Sequence, residues 1–276
     1  MSKTIGFLGV GNMGGAILSG YAKVCAGKAD APKLLAYSRD KEKLAALCTA
    51  AGADMAESLD DLVRRSDVLV LGIKPYHFKD LMPQIAAAFT SDKVLVSMAA
   101  GITIDYMTGY VGKDAKIVRI MPNTPAKVKE AMTAVCRNSN VSDGELDFVM
   151  GIFTAIGRAE EVDEDLIHCV IGISGSSPAY TYMYIEALMN AAVRHGMSEE
   201  KARIFAAQAV LGAAKMVLLD EESPEQLRIN VCSPGGTTLK AVDVLMEKDF
   251  WEIVMLTESE YLSIAFLLIA QLFVLP

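Results

Sequence analysis

The chain has 276 residues, 52% apolar and 22% charged, a balance that supplies a sizeable core and excludes a disordered protein. Its net charge of −8 excludes a nucleic-acid binder that works through a basic surface. Its five cysteines include no C-x-x-C pair, and with only three histidines no metal site is expected.

The N-terminus, Met1-Ser2-Lys3-Thr4, enters a strand pattern with no signal-peptide architecture, and unpaired cysteines suit a reducing compartment, so a cytoplasmic protein is expected. Thr4 to Leu8 is a short apolar run, the pattern of a buried strand. Gly9-Val10-Gly11-Asn12-Met13-Gly14 follows, and an amphipathic segment runs on to about Val24. Further strands are predicted over Lys33–Tyr37, Asp67–Ile73, Lys93–Met98 and Ala115–Ile120, with helices over Asp40–Ala51 and Tyr76–Phe89, the last interrupted by Pro83. Strand and helix in alternation predict an α/β domain over residues 1–162, a Rossmann-type doubly wound parallel sheet covered on both faces.

A G-x-G-x-x-G pattern at the first strand–helix turn of such a domain points to a dinucleotide. Gly9 permits the tight turn, Gly11 lets a pyrophosphate approach, and Gly14 lets the helix pack closely on the strand. The end of the second strand reads Tyr37-Ser38-Arg39 rather than carrying an acid for a ribose hydroxyl. Ser38 and Arg39 suit a 2′-phosphate, which favours NADPH and leaves NADH possible. Gly72-Ile73-Lys74-Pro75 and Met98-Ala99-Ala100 lie at carboxyl ends of strands, where small residues leave room for a nicotinamide ring. The loop Met121-Pro122-Asn123-Thr124-Pro125 either lines the cleft or is only a turn.

Residues 163–276 read as an all-α domain, with no strand pattern after about Val162. Leu166 to Ser174 is apolar nearly all round and leads through Gly175-Ser176-Ser177-Pro178 to a helix ending near His195. Ser198, with Glu199 and Glu200, opens another helix that runs to about Leu219. Helices this apolar need burial on every side, and about 110 residues hide too little surface alone, so a homodimer is expected, with a ring of dimers as the larger option. Asn230 to Thr238 is a polar loop between two helices, with Pro234, Gly235 and Gly236 ending one and Thr237 and Thr238 opening the next, which is predicted to run from Leu239 to about Glu247. It reads as a helix cap or as an anion seat for a small carboxylate. The apolar tail 264–275 is too short to span a bilayer and reads as a buried or interface helix, a membrane-touching tail or an altered C-terminus.

These motifs resemble the Δ1-pyrroline-5-carboxylate reductase family, over about Thr4 to Trp251 and most specifically over Leu166–Tyr180 and Asn230–Leu239. The resemblance implies a Rossmann domain followed by a helical dimerisation domain, and NAD(P)H-dependent reduction of a cyclic imine to L-proline. It assigns Leu8, Gly9, Val10, Gly11, Asn12 and Met13 to the cofactor phosphates, Ser38 and Arg39 to the adenosine end, and Asn230 to a further cofactor contact. Glu164, Thr237 and Thr238 fall at substrate positions, and Ser176 joins them. This chain departs from the family in having Ser177 for a glycine, Leu59 for an asparagine near the adenosine, and an apolar tail for a polar helix.

On this reading the substrate carboxylate sits on the N–H groups of Gly236, Thr237 and Thr238, and Thr238 Oγ holds the imine nitrogen. A threonine orients rather than supplies a proton, and Glu164 favours the iminium or fixes a water. The alternative enzyme is a 3-hydroxyacid dehydrogenase of the same layout, which uses a lysine on the first long helix of its second domain; this chain has no Lys between Leu166 and Glu200. A non-catalytic NADP-sensing protein would need Gly9, Gly11 and Gly14 but not Glu164, Ser176 and Thr238 together.

Overall fold

The computed structural model describes residues 2–257; the apolar run 264–275 lies outside the described residues. Eight strands form one sheet in the order β3-β2-β1-β4-β5-β6-β7-β8. They are β1 (Thr4–Leu8), β2 (Lys33–Tyr37), β3 (Asp54–Met55), β4 (Val68–Leu71), β5 (Val94–Ser97), β6 (Lys116–Met121), β7 (Ala131–Arg137) and β8 (Gly157–Glu161). The six strands from β3 to β6 are parallel, whereas β7 runs antiparallel to β6 and β8 parallel to β7, so the sheet is mixed rather than wholly parallel. The helices between them are α1 (Asn12–Cys25), α2 (Lys41–Ala51), α3 (Leu59–Arg65), α4 (Phe78–Ala88), α5 (Ile104–Val111) and α6 (Asp143–Thr154).

Strand residues alternate between the two faces. Ile5 and Phe7 of β1, Val68 and Val70 of β4, and Val94 and Val96 of β5 fill one core. Leu8, Leu69, Leu71 and Leu95 fill the other, against α3, α4 and α5. Both faces are apolar because both carry helices, which is why these strands read as continuous apolar runs. Leu59 opens α3 as a core residue, 8% exposed, behind a Ser58 cap. Pro83 does not break α4: it sits on the exposed face, where water can replace the lost backbone bond.

The chain divides into two compact units, one over 2–175 and one from Ser176 onward. Segment 164–175 belongs with the first: a 3-10 turn over Glu164–Leu166 leads into α7 (Ile167–Val170), and Ile167 is fully buried among the second core's side chains. A π-helical turn over Ile171–Ser176 follows directly, so Gly175-Ser176-Ser177 is helical rather than a loop.

The second unit contains α8 (Ser177–Arg194), α9 (Glu199–Leu219), α10 (Pro224–Val231), α11 (Thr237–Glu247) and a helical stretch over 250–257. Its apolar side chains are largely uncovered. No residue of α8 is buried, and in α9 only Ala202 and Ala206 are. Tyr182, Met183, Ile204, Phe205 and Leu219 are exposed, Phe205 at 66%. By length and composition α9 could also cross a bilayer.

Candidate functional site

The first strand–helix turn shows what each glycine does. Gly9 has φ +85°, and a Cβ there would lie 2.8 Å from the Gly72 carbonyl oxygen. A Cβ on Gly14 would overlap the Gly9 carbonyl, so only glycine lets α1 sit this close to the turn. Gly11 differs, with nothing within 4 Å of a Cβ, and it borders the cavity described next. Gly11 is also the N-cap of α1, with no side-chain cap and no acid in the first turn. The first N–H groups of α1 are therefore left for an anion.

This turn forms one end of a cavity of about 450 Å³. Gly11, Asn12, Met13 and Gly14 line it, together with Gly72, Ile73, Lys74 and Pro75 after β4 and Met98, Ala99 and Ala100 after β5. The carboxyl ends of adjacent parallel strands thus converge on one space, at the switch point between β1 and β4. Leu8, Gly9 and Val10 lie beneath the lining: Leu8 and Val10 are buried and the Gly9 N–H donates to the Tyr37 carbonyl at 2.9 Å. These residues fit a dinucleotide, with open N–H groups for its pyrophosphate and a small-residue wall for a flat ring. Pro122, Thr124, Ala126 and Lys127 complete the lining, so the loop after β6 borders the cavity and is more than a turn.

Ser38 and Arg39 sit at the end of β2, outside that lining. Arg39 Nη2 donates to His77 Nε2 at 3.2 Å, which brings the turn after β4 to the same edge. Lys41 Nζ lies 3.9 Å from the Tyr37 ring centroid, adding a second cation there. Nothing in the sequence pairs His77 with Arg39, because the two residues are 38 positions apart.

Glu164 is not a solvated helix-start residue. Its Oε1 accepts from Arg119 Nη1 at 2.8 Å and from the Ile104 backbone N–H at 2.9 Å. Arg119 projects from β6 and is 1% exposed. Cys136 stands opposite it in the β6–β7 ladder, and burial pushes that thiol up to about 12, so it stays neutral and offers no counter-charge. Glu164 therefore neutralises a buried guanidinium while holding the start of α5, the helix that follows the Met98–Ala100 wall. The sequence Lys-Ile-Val-Arg-Ile-Met gives one clue, a charge inside an apolar strand, but not its partner.

Asn123 makes a second link. Its Nδ2 donates to the Ser174 carbonyl and to Ser174 Oγ at 3.1 and 3.2 Å, and its Oδ1 accepts from the Met132 N–H at 2.9 Å. Ser176 lies half-buried at the end of the π-helical turn.

In the second unit, α10 ends before Cys232 and the loop turns through Gly235 at φ +71°. Helix α11 begins at Thr237, two residues before its predicted start, because Gly236 rather than a threonine is the N-cap. No side chain caps this end and no acid lies in its first turn, so the N–H groups of Thr237 and Thr238 face outward without an internal acceptor. Asn230 accepts from Gln226 Nε2 at 2.8 Å and donates to Glu222 Oε2 at 2.6 Å, an exposed arrangement between α10 and the bend that precedes it.

Two family descriptions match this chain: "Pyrroline-5-carboxylate reductase dimerisation" over residues 164–259 and "NADP oxidoreductase coenzyme F420-dependent" over residues 4–101. The pyrroline-5-carboxylate reductase of Escherichia coli K12 is 44% identical over 91% of this chain and 92% of its own. That of Pisum sativum is 34% identical over 90% of each. Among solved structures, a pyrroline-5-carboxylate reductase from Coxiella burnetii superposes with a TM-score of 0.88 at 32% identity, covering 96% of this chain and 98% of that one. The Plasmodium falciparum pyrroline carboxylate reductase with NADP bound gives 0.83 at 30% identity, over 95% and 97%. With identity this high across nine-tenths of both chains, this chain belongs to the pyrroline-5-carboxylate reductase family.

Proposed function

We propose that this chain reduces the cyclic imine 1-pyrroline-5-carboxylate to L-proline, the last step of proline biosynthesis. The observation that carries the reading is the 450 Å³ cavity at the uncapped start of α1, in a chain 44% identical to a named reductase of this imine. A nicotinamide cofactor, when bound, supplies the hydride. Gly11, Asn12 and Met13 offer backbone donors to its phosphates, and Met98–Ala100 and Gly72–Pro75 leave room for its ring. The N–H groups at Gly236, Thr237 and Thr238 receive the substrate carboxylate, and the Thr238 hydroxyl holds the imine nitrogen in place. Ser176 adds a hydroxyl to the substrate seat. Glu164 acts at one remove, by fixing Arg119 and α5.

Ser38 and Arg39 support a preference for NADPH over NADH, since both can pair with a 2′-phosphate. Asn230 serves as a further cofactor contact by releasing Gln226 and Glu222. The uncovered apolar faces of α8 and α9 support a homodimer, with a ring of dimers as the larger assembly, rather than a membrane-bound form. We place the protein in the cytoplasm. The test is NADPH oxidation in the presence of pyrroline-5-carboxylate, with a 3-hydroxyacid and NADP offered in the reverse direction. Turnover of the imine alone supports the reading. Turnover of the hydroxyacid, or tight NADPH binding with neither reaction, refutes it.

A further inference from the structure

In an α-helix the N–H of residue 178 returns to the carbonyl of residue 174. Here residue 178 is proline and has no N–H to give. The Ser174 carbonyl accepts from Asn123 instead, and the same amide group reaches Ser174 Oγ. The other end of the Asn123 amide is fixed by the Met132 N–H at the start of β7. One side chain thus joins the turn after β6, β7 and the π-helical turn Ile171–Ser176. Its neighbours Pro122 and Thr124 form part of the cavity wall. Single π turns interrupt helices at a cost in regular hydrogen bonding and recur at functional sites. The phosphate end of the cavity is held separately, by the Gly9 N–H to the Tyr37 carbonyl and the Gly72 N–H to the Leu8 carbonyl.

We propose that Asn123 is a positioning residue for the reduction: it pins the π-helical turn to the Pro122–Thr124 wall and so sets the substrate end of the cavity, independently of the phosphate end. This rests on the reading that the chain reduces a cyclic imine. Pro178 belongs to the same device, since it frees the Ser174 carbonyl for Asn123.

Two variants test it from opposite sides. Asn123→Asp keeps an oxygen for the Met132 N–H but loses both donors to Ser174. Its kcat/KM for pyrroline-5-carboxylate is expected to fall about 10- to 100-fold, while the NADPH dissociation constant, read by fluorescence titration, stays within about twofold. Pro178→Ala raises helix propensity and restores an N–H that competes for the Ser174 carbonyl. It is expected to keep or raise Tm and still lower kcat/KM several-fold, a combination that a merely structural brace does not produce. A kcat/KM within about twofold of wild type in Asn123→Asp overturns the proposal, as does NADPH affinity falling in step with it. An undiminished kcat/KM in Pro178→Ala also overturns it. If wild type turns over the imine and the variants match it, only this inference fails; if wild type does not, the functional reading fails with it.

Discussion

Removing the Glu164 carboxylate tests whether this residue works first as a counter-ion. The Glu164→Ala variant leaves Arg119 charged at 1% exposure, beside a neutral thiol. Among the described residues, Arg119 Nε and Nη2 have no hydrogen-bond partner, so the 2.8 Å bond from Nη1 to Glu164 is the contact at stake. Breaking one side of a buried pair costs about 3–5 kcal/mol. The Glu164 side chain is 29% exposed, so water screens part of the interaction and the lower end, about 3 kcal/mol, applies. For a unit of this size each kcal/mol moves Tm by about 2–4 °C, giving an expected loss of about 6–12 °C. Glu164→Gln keeps an oxygen for both the Arg119 and Ile104 donors and should lose about half as much. Adding Arg119→Met to Glu164→Ala removes the stranded charge, and the double variant should return to within about 1 kcal/mol of wild type. Thermal and urea melts of wild type and the three variants measure these differences. A Glu164→Ala protein within about 1 kcal/mol of wild type, or a double variant no more stable than the single, refutes the counter-ion argument.

Gly14→Ala should weaken NADPH binding at least about tenfold and also lower Tm, because its Cβ meets the Gly9 carbonyl; Gly11→Ala has open space around its Cβ and should weaken NADPH without moving Tm, so equal Tm losses in the two would contradict the assignment. Replacing Ser38 and Arg39 together by Ala should cost NADPH about 10- to 100-fold more affinity than NADH, and calorimetry showing equal losses would remove the 2′-phosphate role. Thr238→Ala should lower kcat/KM for the imine about 10-fold or more with NADPH affinity kept, and steady-state rates equal to wild type would end its role at the nitrogen. Burial pushes the Glu145 carboxyl up, but Lys116 Nζ at 2.6 Å with the Ser142 hydroxyl and N–H outweighs it and holds the group at about 2, below its ordinary 4.5. A depressed carboxylate stabilises the fold above its unfolded pKa, so the stability gap between wild type and Glu145→Gln should be constant above about pH 5 and close as pH falls toward 2; a gap that persists there would contradict the assignment.

Local backbone constraints are what the sequence displays most openly. Gly9 and Gly14 could be assigned separate roles because each role is a steric limit carried by one residue. The central strands were legible because both of their faces are buried. Strands β7 and β8 were not: β8 reads Gly-Arg-Ala-Glu-Glu, an edge strand that carries charge outward, and apolar periodicity has nothing to register there. The π-helical turn was hidden for a different reason, since Gly175-Ser176-Ser177-Pro178 has loop chemistry and the turn's Ser174 carbonyl takes its donor from Asn123, 51 residues away. Arg119 and Glu164, 45 residues apart, pair through tertiary structure alone.

Helix starts separate structure from function in this chain. Where a start only needs closing, a side chain closes it: Asp40 for α2, Ser58 for α3, Thr103 for α5, Ser142 with Glu145 for α6, and Ser223 for α10. Helix α9 opens with Glu199 and Glu200 against its dipole, while α4 and α8 continue from a preceding helical turn and have no free start. Helices α1 and α11 have neither device. Each begins at a glycine, with no side-chain acceptor and no acid in the first turn. Leaving such an end to a glycine forgoes about a few tenths of a kcal/mol that a Ser or Asp at the cap would supply. Filling the cap would also put an oxygen where an arriving anion must go. The same omission in two sequence-distant loops, one bordering the cavity at Gly11 and the other at Gly236, is what a dinucleotide pyrophosphate and a substrate carboxylate would each require.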